Sequence, residues 1–146
     1  MIVVDTNILA YLLIEGDRTE VCRKVLWKDP EWCAPFLWRS EFRNVLTTHM
    51  HHAGMSFDGA TARMGESEKL LVGREYSISS KVVLELTSAN SVAAYDAEFV
   101  CLANKLERKL ITTDKPLLKT FPDVAVTPEE FAATTLYCEQ DVDPNT

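Results

Sequence analysis

The chain has little of what disordered, fibrous or membrane-embedded proteins are made of. Its 146 residues include only five glycines and six prolines, and 47% are apolar while 25% are charged, which is an ordinary globular composition. The longest uninterrupted apolar run, Ile8–Ile14, is far shorter than the ~18 residues that a membrane span requires. Met1–Asp5 carries no basic segment and soon reaches an acid, so it does not predict a secretory signal. These absences predict one domain in the cytoplasm, with no membrane partner.

The chain also has only four cysteines, and it has fewer basic than acidic residues. The four cysteines form no CxxC pair, so they predict small buried hydrophobes in a reducing compartment rather than a zinc site or disulfides. Lys and Arg total 15 against 22 Asp and Glu, a net charge of −7. A domain that attracts nucleic acid by its overall field is basic. Either the partners are therefore not polyanions, or the acids are concentrated where cations bind them and the bases lie elsewhere.

Short β-branched runs alternate with longer segments of helical periodicity. This alternation predicts an α/β fold with a doubly wound parallel sheet, because parallel strands need crossover helices. The strands are predicted at Ile2–Val4, Trp32–Phe36, Glu75–Ser79, Leu110–Thr113 and Val124–Val126. Helices are predicted from about Ile8, over Arg18–Trp27, around Phe42–Met50, over Asp58–Leu71 and Lys81–Ala89, from Tyr95, and from Thr127. A single domain over residues 1–135 is predicted, followed by a frayed acidic tail at 136–146.

Four acids are predicted to meet at one edge of this sheet. Asp5 and Asp114 follow the first and fourth strands. Glu41 lies early in the helix after strand two, and Asp96 lies in the first turn of the helix before strand four. The carboxyl ends of parallel strands and the N-termini of their crossover helices share one edge, where ligands bind. Asp96 also shares the inward helix face with Phe99, three residues later.

Acids on inward faces are unfavourable unless they are paired or coordinate a cation. No Lys or Arg stands in the inward register beside Asp5 or Asp96. A hard divalent ion would satisfy them, because carboxylate and water ligands suit Mg²⁺ and Mn²⁺. The alternative is purely structural: Asp5, Asp96 and Asp114 would cap helices through backbone N–H groups, and Glu41 would be a solvated helix residue.

The four acids stand in segments that together carry a family resemblance. The segments are Asp5-Thr6-Asn7-Ile8-Leu9, Ser40-Glu41-Phe42-Arg43-Asn44-Val45-Leu46, Tyr95-Asp96-Ala97 with Leu102-Ala103, and Leu110-Ile111-Thr112-Thr113-Asp114. In this order the chain, from Met1 to about Phe131, resembles the PIN domain and more closely the VapC-type toxin ribonucleases of toxin–antitoxin pairs. The resemblance implies a three-layer α/β/α fold whose central parallel sheet has the strand order 3-2-1-4-5.

The resemblance also implies a site and an activity. The implied catalytic and metal-binding quartet is Asp5, Glu41, Asp96 and Asp114, with Thr6, Asn7 and Thr112 as supporting polar residues. Many members carry Asn-x-x-Asp after the strand-four threonine, whereas this chain fits a T-x-D variant, with Asp114 at the first of those positions and Leu117 at the second. The implied function is a metal-dependent endoribonuclease, the toxin of a type II toxin–antitoxin pair. One or two Mg²⁺ or Mn²⁺ ions would activate water and stabilise charge on the phosphoryl group. RNA, a cognate antitoxin and a second copy in a homodimer are the implied partners.

Several other side chains have both a functional and a structural interpretation. Basic residues that could hold an RNA backbone are Arg39, Arg43 and Lys115, with Arg74 and Lys119 as further candidates; plain solubility is the alternative. Glu98 follows Asp96 by two positions and is expected to point away from it into solvent. The tryptophans are predicted to be core and interface aromatics, and His49, His51 and His52 to be surface residues.

Two other classes of protein are alternatives to the implied nuclease. A PIN-like scaffold that binds RNA or protein without cutting would not need to keep four acids on inward faces. A phosphoacceptor receiver domain is also a doubly wound sheet of similar length. That architecture needs paired acids after strand one and an aspartate after strand three, where this chain has Asp5 alone and Ser77-Ile78-Ser79.

Overall fold

The computed structural model describes residues 1–134, which form a five-stranded parallel sheet flanked by helices. The strands are β1 (Ile2–Val4), β2 (Trp32–Pro35), β3 (Glu75–Tyr76), β4 (Leu110–Ile111) and β5 (Ala125–Val126). The helices are α1 (Thr6–Leu13), α2 (Thr19–Lys28), α3 (Trp38–His52), α4 (Phe57–Leu70), α5 (Ser80–Ala89), α6 (Ala94–Leu106), α7 (Lys115–Thr120) and α8 (Pro128–Ala133). The predicted tail at 136–146 lies outside the described residues.

The strand order is β3-β2-β1-β4-β5, with every pair parallel. This confirms the predicted sheet. Val3 of β1 pairs with Cys33 of β2 on one side and with Leu110 of β4 on the other. The sheet therefore has β1 at its centre, and the residue that follows it, Asp5, lies in the middle of the carboxyl edge.

The core is built on the central strands. All residues of β1, β2 and β4 are buried, as expected where helices cover both faces of a parallel sheet. Helix α6 packs on β1 and β2 and adds Phe99 and Leu102 to the same cluster. Each fully buried side chain of this size contributes roughly 1.5–3 kcal/mol. Among residues 1–134, no helix is both long and apolar enough to cross a lipid bilayer.

The predictions for cysteine and tryptophan are largely confirmed. The described cysteines, Cys22, Cys33 and Cys101, are buried free thiols. Trp32 and Trp38 are fully buried. Trp27 lies off the face of α2 that packs on the core and is 90% exposed, so it is not a core residue, and its predicted interface role stays a prediction.

Some element boundaries differ from the predictions. Strand β3 has two residues rather than five, because it pairs with β2 only at Ala34 and Pro35. Helix α7 was not predicted, since a six-residue helix is too short to show a periodicity. Gly54 and Gly73 follow α3 and α4 with φ of 71° and 74°, a conformation that glycine adopts without strain.

Candidate functional site

Asp5 lies where β1 ends and α1 begins. Its backbone N–H donates to the carbonyl of Ile111 at 3.0 Å, which continues the β1–β4 ladder to the edge of the sheet. The hydroxyl Oγ1 of buried Thr112 donates to Asp5 Oδ2 at 2.8 Å. Asp5 occupies the N-cap position of α1, yet its side chain makes no capping hydrogen bond. The helix-cap interpretation therefore does not account for this carboxylate.

Glu41 is connected to Asp5 through the residue next to it. Glu41 lies in the first turn of α3, and its Oε1 accepts a 2.8 Å hydrogen bond from Thr6 Oγ1. Thr6 is buried, so it holds the start of α1 against α3 with its one hydroxyl. Asn7, the next residue, is exposed and lines a different cavity of about 460 Å³ with Tyr11 and His49. Of these two predicted supporting residues, Thr6 therefore contacts one of the acids, whereas Asn7 lines another cavity.

Asp96 and Asp114 approach the same edge from α6 and β4. Asp96 lies half-buried in the first turn of α6, whose N-cap residue, Ala93, provides no side-chain cap. Asp114 donates its backbone N–H to Thr112 Oγ1 at 3.0 Å. Its Oδ1 accepts from the N–H of Leu117 at 2.9 Å and so caps α7. The structural interpretation therefore holds for one oxygen of Asp114.

Burial and neighbouring negative charge raise the pKa of Asp5. Loss of solvent is the largest cause, and the charges of Asp96 and Asp114 add to it. The hydrogen bond from Thr112 and the nearby backbone N–H of Thr6 act in the opposite direction. The carboxylates that follow β1, begin α6 and follow β4 therefore lie near enough to repel one another.

The pKa values of Glu41 and Asp96 are raised in the same way. For Glu41, burial is again the largest cause, and Asp5, Asp96 and Glu98 add repulsion that the Thr6 hydroxyl partly offsets. For Asp96, burial comes first and the charge of Asp114 second. Four acids from four different elements therefore form one repulsive set, which we call the acidic cluster: Asp5, Glu41, Asp96 and Asp114.

No basic side chain neutralises the acidic cluster within residues 1–134, where the ion pairs engage other acids. The remaining residues, 135–146, contain no Lys, Arg or His. Unneutralised oxygen ligands fit a hard divalent cation such as Mg²⁺ or Mn²⁺. As the side chains stand, however, no three Asp, Glu, His or Cys residues of the described chain lie close enough together to hold one ion. Binding a cation would therefore require the carboxylates to rotate towards it.

Arg39, a predicted RNA contact, is held by another side chain. Its Nε donates to Glu75 Oε1 at 2.6 Å and its Nη2 to Glu75 Oε2 at 3.0 Å. Trp38 Nε1 donates to the same Oε1 at 2.7 Å. The Arg39 and Trp38 hydrogen bonds hold the pKa of Glu75 below its ordinary value. Arg39 therefore joins α3 to β3, and this engagement limits its capacity to hold a phosphate.

The other predicted RNA contacts have mixed placements. Arg43 and Lys115 are exposed and form no ion pair with another described residue. Arg74 donates to the carbonyls of Trp32 and Leu70, which fixes the turn before β3. Lys119 is likewise exposed and without an ion pair among the described residues, so Arg43, Lys115 and Lys119 remain available to a ligand.

Glu98 lies differently from its predicted solvated position. It is half-buried, and burial raises its pKa. Its charge also contributes to the raised pKa of Glu41. The reason lies in the packing of α5 on α6 around Ala97 and Cys101, which covers part of the helix face that carries Glu98. A two-residue spacing correctly separates Glu98 from Asp96, but it gives no information on which neighbouring helix covers it.

Comparisons with known proteins agree with this architecture. The family model described as PIN domain matches residues 2–123. Ribonuclease VapC3 of Pyrobaculum aerophilum is 30% identical over 130 residues, covering 87% of this chain and 98% of that protein. A toxin-antitoxin complex from Klebsiella pneumoniae contains a chain of the same fold, with a TM-score of 0.65 and 20% identity over 88% of this chain and 98% of that one. FitAcB from Neisseria gonorrhoeae gives a TM-score of 0.64 at 20% identity, covering 88% and 99%. This chain belongs to the PIN-domain family.

Proposed function

We propose that this protein is a metal-dependent endoribonuclease that hydrolyses RNA phosphodiester bonds, and that it is the toxin of a type II toxin–antitoxin pair acting in the cytoplasm. The observation that carries the proposal is the acidic cluster, which has no basic partner in the described chain. Burial and neighbouring negative charge raise the pKa values of three of its carboxylates, those of Asp5, Glu41 and Asp96. The relative named Ribonuclease VapC3, which the match covers over 98% of its length, supports the activity.

In this proposal Asp5, Glu41, Asp96 and Asp114 hold Mg²⁺ or Mn²⁺. The bound metal supplies a water of lowered pKa and stabilises negative charge on the phosphoryl group. The two buried hydroxyls fix the carboxylates that would receive it, with Thr112 on Asp5 and Thr6 on Glu41. Among contacts with described residues, Glu41 Oε2 and Asp114 Oδ2 make no hydrogen bond and are available as ligands.

The proposed partners follow from the charge of the same edge. RNA would be held by Arg43 and Lys115, two of the predicted RNA contacts that are exposed and form no ion pair within residues 1–134. The antitoxin would place an Arg or Lys among the acidic cluster, since a charge-assisted pair there satisfies carboxylates that have no internal cation. The toxin-antitoxin complex from Klebsiella pneumoniae supports such a partner. A homodimer is the proposed assembly.

One observation favours a second candidate function, a catalytically silent PIN-like module that binds RNA or protein. No three metal-ligating side chains of residues 1–134 are gathered closely enough to hold an ion as they stand. A module without catalysis would need no such gathering. The two functions differ in whether RNA is cut once a divalent ion is supplied.

Cleavage of RNA by the purified protein tests the proposal. We expect cleavage with Mg²⁺ or Mn²⁺ and none with EDTA. Asp5→Asn and Asp96→Asn should each lose at least about a hundredfold in rate, because loss of a direct ligand costs more than the ~10–100-fold cost of a second-shell loss. Asp123→Asn, which removes an exposed acid outside the cluster, is the matched control and should retain the wild-type rate. Equal cleavage by all four proteins would remove the acidic cluster from the reaction, and RNA binding without cleavage would favour the silent module.

A further inference from the structure

A groove of about 360 Å³ lies beside the acidic cluster, between the start of α3, helix α5 and the start of α6. Its apolar lining comes from Leu37, Ile78, Val83 and Leu84, and α6 contributes Tyr95 and Glu98. The volume falls within the ~300–1,000 Å³ that small-molecule sites occupy. It is therefore large enough to receive one heterocyclic ring system.

Tyr95 and Glu98 give the groove its chemistry. They are three residues apart on α6 and so lie on neighbouring positions of one helix face. Tyr95 is 67% exposed, which leaves its ring accessible to a ligand. The Glu98 carboxylate is half-buried, yet it accepts no hydrogen bond and forms no ion pair with any residue of 1–134. A carboxylate partly removed from water with no donor is best satisfied by a ligand that brings N–H groups.

The groove adjoins the acidic cluster on two helices. Asp96 lies between Tyr95 and Glu98 in the first turn of α6. On α3, the backbone N–H of Glu41 donates to the carbonyl of Leu37 at 3.2 Å, so Leu37 and Glu41 are one helical turn apart. A polynucleotide with a phosphate at the acidic cluster would therefore have a neighbouring base within reach of the groove.

We propose that this groove is a base-binding subsite that selects an unpaired guanine of RNA, with the base stacked on Tyr95 and its N1–H and N2–H donating to the Glu98 carboxylate. This inference rests on the proposed function and makes Glu98 a specificity-determining residue. Single-stranded RNA is read in this way, by stacking on aromatic rings and by hydrogen bonds to the Watson–Crick edge.

The carboxylate accounts for the choice of guanine. Guanine presents two adjacent N–H donors on its Watson–Crick edge, which match the two oxygens of one carboxylate. Adenine and cytosine each present one amino group beside a ring nitrogen acceptor, and uracil presents one N–H between two carbonyl acceptors. An acceptor atom of a base placed against Glu98 brings its lone pair against the negative carboxylate. The other three bases therefore lose a hydrogen bond and are also repelled.

Binding of five nucleoside 5′-monophosphates, those that carry guanine, hypoxanthine, adenine, cytosine and uracil, tests the inference without any cleavage. All five carry the same phosphate, so differences in Kd report the base alone. Chemical shifts of the Val83 and Glu98 amides in the full chain follow the titration. GMP should bind about tenfold or more tightly than AMP, CMP and UMP, since a bidentate contact is worth ~1–3 kcal/mol of discrimination. IMP, which lacks the N2 amino group, should fall between them.

Variants distinguish the hydrogen bonds to Glu98 from the stacking on Tyr95. Glu98→Gln should abolish the preference for GMP. Tyr95→Ala should weaken all five nucleotides by roughly five- to a hundredfold, since stacking is worth ~1–3 kcal/mol per base, and Tyr95→Phe should restore binding. Glu85→Gln changes a glutamate on α5 that does not line the groove and pairs with Lys81, and it should keep the wild-type preference.

The nucleotide titration decides the inference, and RNA cleavage decides the proposed function. Guanine-selective binding that Glu98→Gln abolishes supports the subsite even if no RNA is cut. Equal affinity for the nucleotides, or selectivity that survives in Glu98→Gln, overturns the subsite even if RNA is cut efficiently. Groove amides that respond to protein concentration and not to nucleotides would assign this face to contacts between copies, which also overturns it.

Discussion

The Thr112 hydroxyl at the end of β4 donates a 2.8 Å hydrogen bond to Asp5 Oδ2 at the end of β1. The same oxygen, Thr112 Oγ1, accepts the backbone N–H of Asp114 at 3.0 Å. One buried hydroxyl therefore contacts two acids, one after each of two adjacent strands. It also lowers the pKa of Asp5, against the burial that raises it.

Thr112→Val should loosen this arrangement, because the two side chains have similar volume and the substitution removes only the hydroxyl. A hydrogen bond to a charged group is worth ~1.5–3 kcal/mol, so we expect a loss of about that size in the free energy of unfolding by urea. Affinity for Mn²⁺ should fall by ~10–100-fold, as it does when a ligand loses its orienting partner. Thr112→Ser keeps the hydroxyl and should retain most of the affinity. A Val variant with wild-type Mn²⁺ affinity would show that Thr112 does not position Asp5 for metal binding.

Glu75→Gln should destabilise the protein at neutral pH, since Arg39 and Trp38 both donate to this carboxylate. We expect a loss of about 1–3 kcal/mol in the free energy of unfolding. The pKa of Glu75 is lowered in the folded state from its ordinary 4.5. Its contribution is therefore complete above the unfolded pKa and is lost as the pH falls through the folded pKa. The difference in the free energy of unfolding between wild type and Glu75→Gln should be largest at neutral pH and should shrink in acid. A gap that stays constant down to strongly acidic pH would contradict the ion pair's role.

Arg43→Gln and Lys115→Gln should weaken binding of RNA of any sequence. Each substitution removes one positive charge of the protein that would contact an RNA phosphate. It should therefore reduce the slope of log affinity against log salt by about 0.7 for single strands. Binding is measured by titration of a fluorescent single-stranded RNA at several salt concentrations. Lys24→Gln removes an exposed lysine of α2, outside the acidic edge, and serves as the matched control. Unchanged slopes in both variants would place the RNA on another surface.

The sequence was most informative where one residue pattern determines one structural element. The buried run of β1 and the inward stripe of α6 follow from periodicity, and with the family motifs they place Asp5 and Asp96 at one edge. The sequence was less informative for residues whose surroundings come from distant parts of the chain. Arg39 is bound by Glu75, which lies 36 residues away in sequence, and Glu98 is covered by α5.

Two structural features also lie beyond what a sequence pattern can specify. The helix that Asp114 caps, α7, has only six residues, which is too short to show a periodicity. The distances between the carboxylates of the acidic cluster depend on their side-chain rotamers. Motif spacing cannot specify rotamers, and as they stand no three described ligands share one ion.

The raised pKa values of Asp5, Glu41 and Asp96 affect how stability changes with pH in the absence of metal. Asp96 has an ordinary pKa of 3.8, and its folded-state pKa lies above that value. The unfolded chain therefore releases its proton at lower pH than the folded chain does. Stability is unaffected below the unfolded pKa, falls as the pH rises through the interval between the two values, and stays reduced above the folded pKa. Asp5 and Glu41 act in the same direction.

Thermal melting of wild type and Asp96→Asn at neutral pH, each with EDTA and with Mn²⁺, tests most directly whether the acidic cluster is a metal site. Wild type should gain about 2.7 kcal/mol when Mn²⁺ is present at ~100 times its Kd. Asp96→Asn should melt at or above the wild-type temperature in EDTA, because one repelling charge is gone, and its shift with Mn²⁺ should be much smaller. A wild type that gains nothing from Mn²⁺, together with an Asp96→Asn variant that is less stable in EDTA, would contradict the account and make these acids structural.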